Sequence, residues 1–269
     1  MFERITTSAM RAPIKDRLPW SHEQIKSFSL ICLTDCILPL YIHTYNKGEV
    51  SLKGIGLNQI LRDLHDADPE IKKMAARAIL KEIPDPAQVL SEVLKDADKP
   101  TATAIYDILF DSEADFSNIF HAAIQDKDPR VRARAIRYLF RRGAFHPEDG
   151  IKWLKDSDSY VRRRVISYIF WLNDKSSLGA VARLCREDPD ESVRKDCLRL
   201  IAIWGSIENV GQVIQALEDP SHNVRMQAVQ TLKRLTGEDF GEPLGASSEE
   251  FEWIIARWQG WWEIMRERS

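Results

Sequence analysis

The chain has 269 residues, 44% hydrophobic and 29% charged, with a formal net charge of −3, so it can bury a core and keep a polar surface. That small net charge argues against indiscriminate binding to nucleic acid or membrane, and four cysteines (Cys32, Cys36, Cys185 and Cys197) are too few for a disulfide scaffold. The charge is uneven: residues 58–125 hold 7 bases and 13 acids, residues 126–164 hold 12 bases and 6 acids.

Residues 1–54 are expected to form an N-terminal helical cap. They show no basic segment followed by an apolar run and a cleavage site, so no signal peptide is expected. Ser21-His22-Glu23-Gln24 has the pattern of a capping box opening a helix. The most apolar stretch, 28–45, is interrupted by Asp35, Pro39 and His43, which suits a buried cap helix better than a membrane span. Cys32 and Cys36 are spaced i, i+4 and are expected to be buried thiols of a cytoplasmic protein. Loop signals follow at Asn46-Lys47-Gly48 and at Gly54.

From Asp66 an aspartate returns at Asp96, Asp126 and Asp156, then at Asp188 and Asp219. Five positions on lies an aliphatic residue in most copies (Ile71, Val131, Val161, Val193, Val224), followed by a base (Lys72, Arg132, Arg162, Arg194, Arg225). Thirteen positions on lies a large apolar residue: Ile79, Leu109, Leu139, Ile169, Ile201 and Leu232. Self-similarity at this period implies stacked units that cannot bury their apolar faces alone. In the best copy Asp128 can cap a helix and Pro129 suits its first position. Val131, Ala135 and Leu139 then recur at i, i+4, i+8, one buried helical face. A second helix is expected before each aspartate, over 56–64, 87–94, 116–124, 147–154, 177–184 and 210–217. The expectation is an all-α fold, an α-solenoid of about six helical pairs over residues 55–236.

The block 126–139, Asp-x-Asp-Pro-x-Val-Arg-x-x-Ala-x-x-x-Leu, resembles the bacterial HEAT-like repeat first associated with phycobilin lyases. That resemblance implies that Asp126, Asp156, Asp188 and Asp219 form a ladder between repeats with Arg132, Arg162, Arg194 and Arg225. The second copy departs from the pattern: Thr101 and Ala102 replace the aliphatic residue and the base, and Pro100 follows Lys99. A distorted pair, with a bend in the stack, is expected near 96–111.

Residues 237–269 are expected to form a loop and a terminal capping helix. The loop runs from Leu235-Thr-Gly-Glu-Asp-Phe-Gly241 to about Ala246, and Ser247-x-x-Glu250 opens the helix. Phe251, Ile254, Ile255, Trp258, Trp261, Trp262 and Met265 form an apolar seam suited to hiding the last open face. The loop and the Trp-x-x-Trp-Trp helix are similar to terminal segments of many bacterial HEAT-like proteins.

No catalytic or metal motif emerges. The His-Glu-x-x-His pattern, zinc-ribbon cysteine spacing, a Gly-rich phosphate loop and a Gly-x-Ser-x-Gly elbow are all missing from the sequence. Iron-binding HEAT-type hydroxylases use several His-Glu pairs within their repeats, whereas His22-Glu23 is single and lies outside them. No cofactor, metal or catalytic residue is therefore expected. Binding is the better reading. Arg130, Arg134, Arg137 and Arg141 follow at i, i+4, i+7 and i+11; the next copies place Tyr160, Arg164 and Trp171, and then Arg199, on the corresponding stripe. In a helical-pair solenoid this stripe faces the concave surface, where arginines beside aromatics can grip acidic peptide or phosphate. The expected function is a non-enzymatic scaffold or adaptor binding a protein partner. Nucleic-acid binding is the alternative, by analogy with HEAT-like DNA glycosylases, and chromophore attachment of the phycobilin-lyase type ranks below it.

Overall fold

The computed structural model describes residues 56–268. The expected N-terminal cap, with Ser21–Gln24, the His22-Glu23 pair, Cys32 and Cys36, lies outside the described residues. Within them every regular element is a helix, and the helices come in pairs: α1 (Leu57–Asp63) with α2 (Pro69–Glu82), α3 (Pro86–Asp96) with α4 (Lys99–Asp111), α5 (Ser117–Ala123) with α6 (Pro129–Arg142), α7 (Pro147–Trp153) with α8 (Ser159–Trp171), α9 (Leu178–Glu187) with α10 (Glu191–Trp204), and α11 (Val210–Gln215) with α12 (His222–Thr236). A last helix, α13, runs Ser248–Glu267. The described chain divides into two compact units, 56–149 and 150–268. No described helix is long and apolar enough to cross a membrane.

Local chemistry sets the helix starts. Asp68, Asp98, Asp128, Asp158 and Asp190 each sit at an N-cap and accept a backbone N–H from the first turn, relieving amides that have no partner inside the helix. Proline follows in the first turn of α2, α4 and α6, where its missing N–H costs nothing. At the other end of α6, Gly143 adopts a left-handed φ of 72° and stops the helix.

Packing follows the period of the sequence. The residues thirteen positions after each repeat aspartate, from Ile79 to Leu232, are all fully buried, as are Ala135, Val165, Cys197 and Ala228 at nine positions on. Cys197 thus occupies a recurrent core slot, and Cys185 is likewise a buried free thiol. Burial pushes the Cys185 thiol up to about 12 and raises Cys197 well above the ordinary thiol value, so both behave as small apolar residues. Within 56–149 the second helices α2 and α4 pack side by side; within 150–268, α8, α10 and α12 do so, and α9 packs on α11.

Two sequence expectations need correction. Asp96 is not a turn aspartate, because α3 continues through it, while Asp98 caps α4 as Asp128 caps α6. Helix α4 itself is a regular helix of 13 residues with Pro100 in its first turn. Ile71 is 37% exposed, whereas its counterparts Val161, Val193 and Val224 are fully buried, and Val131 is only half-buried.

The terminal segment forms as expected through its first half. Ser247 and Glu250 make a reciprocal capping box, and Phe251, Ile254, Ile255 and Trp258 are buried. Helix α13 lies against α11, taking the place of a further first helix. Trp261 and Trp262 are half-buried, but Met265 is exposed, so the seam ends a turn early.

Candidate functional site

The recurrent aspartates make turns before they can do anything else. Asp66, Asp126, Asp156 and Asp188 each accept the backbone N–H two residues on, at 2.7–2.9 Å, and Asp219 accepts from Ser221 at 2.8 Å. Each following base then ties the turn together. Arg162 donates to the Asp156 carbonyl (2.7 Å) and with its Nε and second terminal nitrogen to the two oxygens of Asp188 (2.7 and 2.6 Å). Arg194 repeats the arrangement, donating to the Asp188 carbonyl (2.9 Å) and to both oxygens of Asp219 (2.7 and 2.8 Å). Arg132 and Arg225 donate to the carbonyls of Asp126 and Asp219, at 2.8 and 2.9 Å. The last rung reaches the cap, with Arg225 4.0 Å from Glu252. The bidentate pairs use the planar fork of arginine fully. These carboxylates are structural.

In the divergent second copy the ladder survives in another chemistry. The amino group of buried Lys72 donates to the Leu64 carbonyl (3.1 Å) and to Thr101 (2.8 Å), whose hydroxyl also donates to Leu64 (3.0 Å). A hydroxyl stands where other copies bring an aspartate.

The residues of the predicted binding stripe have different settings. On α6, Arg130 is exposed and Arg134 forms an ion pair with Asp107 of α4. The guanidinium groups of Arg134, Arg137 and Arg141 all lie over the ring of Phe110, at 5.7, 5.1 and 4.5 Å from its centroid. Arg137 and Arg141 have no carboxylate partner among the described residues. Partial desolvation and the neighbouring Arg137 lower the pKa of Arg141, which is exposed overall, while Asp111 acts the other way.

Within residues 150–268, Tyr160 is 45% exposed and stacks with Arg164, which donates to its hydroxyl at 3.2 Å. Trp171 closes α8, half-buried beside Phe170, with an indole N–H that meets no protein acceptor. Arg199 belongs to a network: it donates to Asp196 (3.2 Å) and Gln227 (3.1 Å), while Arg163 donates to Asp196 at 2.7 Å. Asp107, Phe110 and Arg163 were not visible as site residues in the sequence. Each meets its partner from a neighbouring repeat, about 30 positions away.

Arg142 has a different role. It donates to the carbonyls of Ser112, Glu113 and Ala114, sewing the α4–α5 loop to the end of α6.

The model of the HEAT repeat family matches residues 120–202, 147–233 and 183–257, together just over half of the chain. No curated protein sequence matches significantly. Similar solved structures include an engineered protein (17% identity, 67% of this chain and 96% of that one, TM-score 0.38) and a designed armadillo repeat protein (15% identity, 76% and 99%, TM-score 0.36). Another is a designed armadillo repeat protein in complex with the peptide (KR)4 (16% identity, 76% and 88%, TM-score 0.33). With five aspartate-capped second helices, a sixth in the same register and three overlapping family matches, this chain belongs to the HEAT repeat family.

Proposed function

We propose that this protein is a non-enzymatic scaffold that binds an acidic segment of a protein partner, with Arg130, Arg137 and Arg141 on the second-helix face as the principal contacts. The observation that carries this reading is the pair of arginines on Phe110. Two guanidinium groups share one aromatic surface and neither is ion-paired with a carboxylate, Asp111 acting on Arg141 only from beyond ion-pair distance, and a bidentate anion entering there would relieve their repulsion. The ring holds both side chains in place, lowering the entropy lost when a ligand binds.

A protein partner fits better than a nucleic-acid backbone. A duplex groove needs a continuous row of available cations, but Arg134 and Arg199 are already committed to Asp107 and Asp196. The concave placement expected for such faces and a cytoplasmic location, where Cys185 and Cys197 would stay reduced, belong to the same reading. The test is affinity capture on the full chain from nuclease-treated extract, compared with an Arg137→Ala/Arg141→Ala variant. A protein retained by the parent and lost with the variant supports the proposal. Equal retention by both, or binding abolished by nuclease, overturns it.

A further inference from the structure

The loop 237–247 and the first turns of α13 enclose a groove that the repeat architecture does not require. Its volume is about 650 Å³, lined by Phe240, Leu244, Trp253 and Ile254 with Glu242 and Glu249 at the rim. That size is in the range of clefts that hold short peptides and small molecules. The groove is preformed. Gly241, at φ 129°, lies so close to α13 that a Cβ there would sit 2.9 Å from Ile254, and the Phe240 ring packs edge-on against buried Trp258 at 4.7 Å.

Its mouth is unusually apolar for an outer surface: Leu244 is 71% exposed and Trp253 60%. Around it carboxylates outnumber bases, of which Lys233 and Arg257 come near. Residues 237–256 contain Glu238, Asp239, Glu242, Glu249, Glu250 and Glu252 and no lysine or arginine. Lys233 alone serves both Asp239 (3.1 Å) and Glu242 (3.4 Å). Glu250 is engaged in the capping box, while Glu249 has no ion-pair partner among the described residues. The start of α13 contributes roughly half a positive charge, which these carboxylates outweigh. One face of Trp253 is covered by the guanidinium of Arg257, 3.8 Å from the ring centroid, which leaves the rest of the ring as an apolar wall of the groove.

We propose that this groove docks a short segment of another protein in which an apolar side chain is flanked by lysine or arginine. The apolar side chain enters between Leu244, Phe240 and Ile254 and against Trp253, and the flanking cations meet Glu249 and Glu242. Opposite charge selects the partner and apolar burial holds it. The proposal does not depend on the arginine face of α6, whose ligand would carry the other sign.

The test is fluorescence anisotropy with the full chain and a labelled hexapeptide of alternating leucine and lysine. Two control peptides replace lysine by glutamate or leucine by serine. Saturable binding is expected with a Kd below about 100 µM, absent for both controls. Leu244→Ser or Trp253→Ala should weaken it about tenfold and Glu249→Gln about threefold, while far-UV circular dichroism melts stay at the parent value because all three side chains are exposed. The proposal is overturned by no saturation up to about 1 mM, by equal binding of the glutamate peptide, or by binding that Leu244→Ser and Trp253→Ala leave unchanged. Concentration-dependent dimerisation lost on Leu244→Ser would overturn it too, since the occupant would then be a second copy of this chain.

Discussion

Arg162 and Asp188 meet as a bidentate pair, two N–H···O bonds of 2.7 and 2.6 Å, with both side chains almost completely withdrawn from solvent. The pair binds the start of one second helix, α8, to the turn that precedes the next, α10. Removing only one partner leaves a buried charge uncompensated, which typically costs about 3–5 kcal/mol. Arg162→Ala is therefore expected to lower the urea midpoint severely. Arg162→Lys should recover only part of the loss, because an ammonium cannot reproduce the planar fork. If lysine restored the full midpoint, charge alone would explain the rung.

Acid should weaken the same ladder at Asp219. Burial raises its pKa, but hydrogen bonds from Arg194 and from the Ser221 N–H outweigh that effect and hold the carboxyl below its ordinary value. The folded chain therefore takes up this proton less readily than the unfolded one. The stabilisation is complete above the unfolded pKa of about 3.9 and is lost as pH falls through the lower folded value. Asp219→Asn keeps the turn acceptor but surrenders that contribution at neutral pH. Urea midpoints at about pH 7, 5 and 3.5 should show a shallower acid decline for the variant than for the parent. Parallel declines would mean that Arg194 gives this carboxylate no preference for its charged form.

How far the sequence reveals this architecture depends on whether a residue's role is repeated. The position thirteen after the aspartate has one environment in every copy, so its buried face is legible from the period alone. Asp96 misleads because it has the same sequence position, two before a capping aspartate, as the turn aspartates of the other copies. Only the backbone shows that α3 passes through it and stops before Asp98. In the sequence Thr101 stands only as a departure from the pattern, since no single-residue rule links a hydroxyl to a lysine 29 positions earlier. The arginine stripe of α6 was legible as a spacing. Its sorting into an ion-paired Arg134 and an unpaired Arg137 and Arg141 depends on Asp107 and Phe110, which helix-to-helix packing brings beneath it.

Trp258 anchors the terminal helix. It is fully buried between Phe240 and Trp261, and its indole N–H meets no protein acceptor. Trp258→Ala should cost about 3–5 kcal/mol through lost packing and a residual cavity. Trp258→Phe should cost much less, under about 1.5 kcal/mol, because the smaller ring also removes a buried donor that gained nothing from the fold. Thermal melts of the two variants check this; a phenylalanine variant as unstable as the alanine one would require an acceptor for the indole N–H.

Arg141 and Arg142 are adjacent on α6 and are expected to differ in what their loss does. Arg142 holds three carbonyls of residues 112–114, so Arg142→Ala leaves those acceptors without a charged donor. It should lower stability by about 1.5–3 kcal/mol. Arg141 makes no ion pair, and its cation is disfavoured by partial desolvation and by Arg137. Replacing it forfeits a contact with the Phe110 ring worth about 0.5–1 kcal/mol, but it also relieves the repulsion. The net change in folding stability should fall within about 0.5 kcal/mol. Partner affinity is expected to follow the opposite order, with Arg141→Ala losing more than tenfold if its guanidinium meets a carboxylate in the complex. Guanidinium-chloride melts and binding assays on the two single variants separate these outcomes. Equal destabilisation by both would place Arg141 in the framework of the repeat and move the binding face elsewhere.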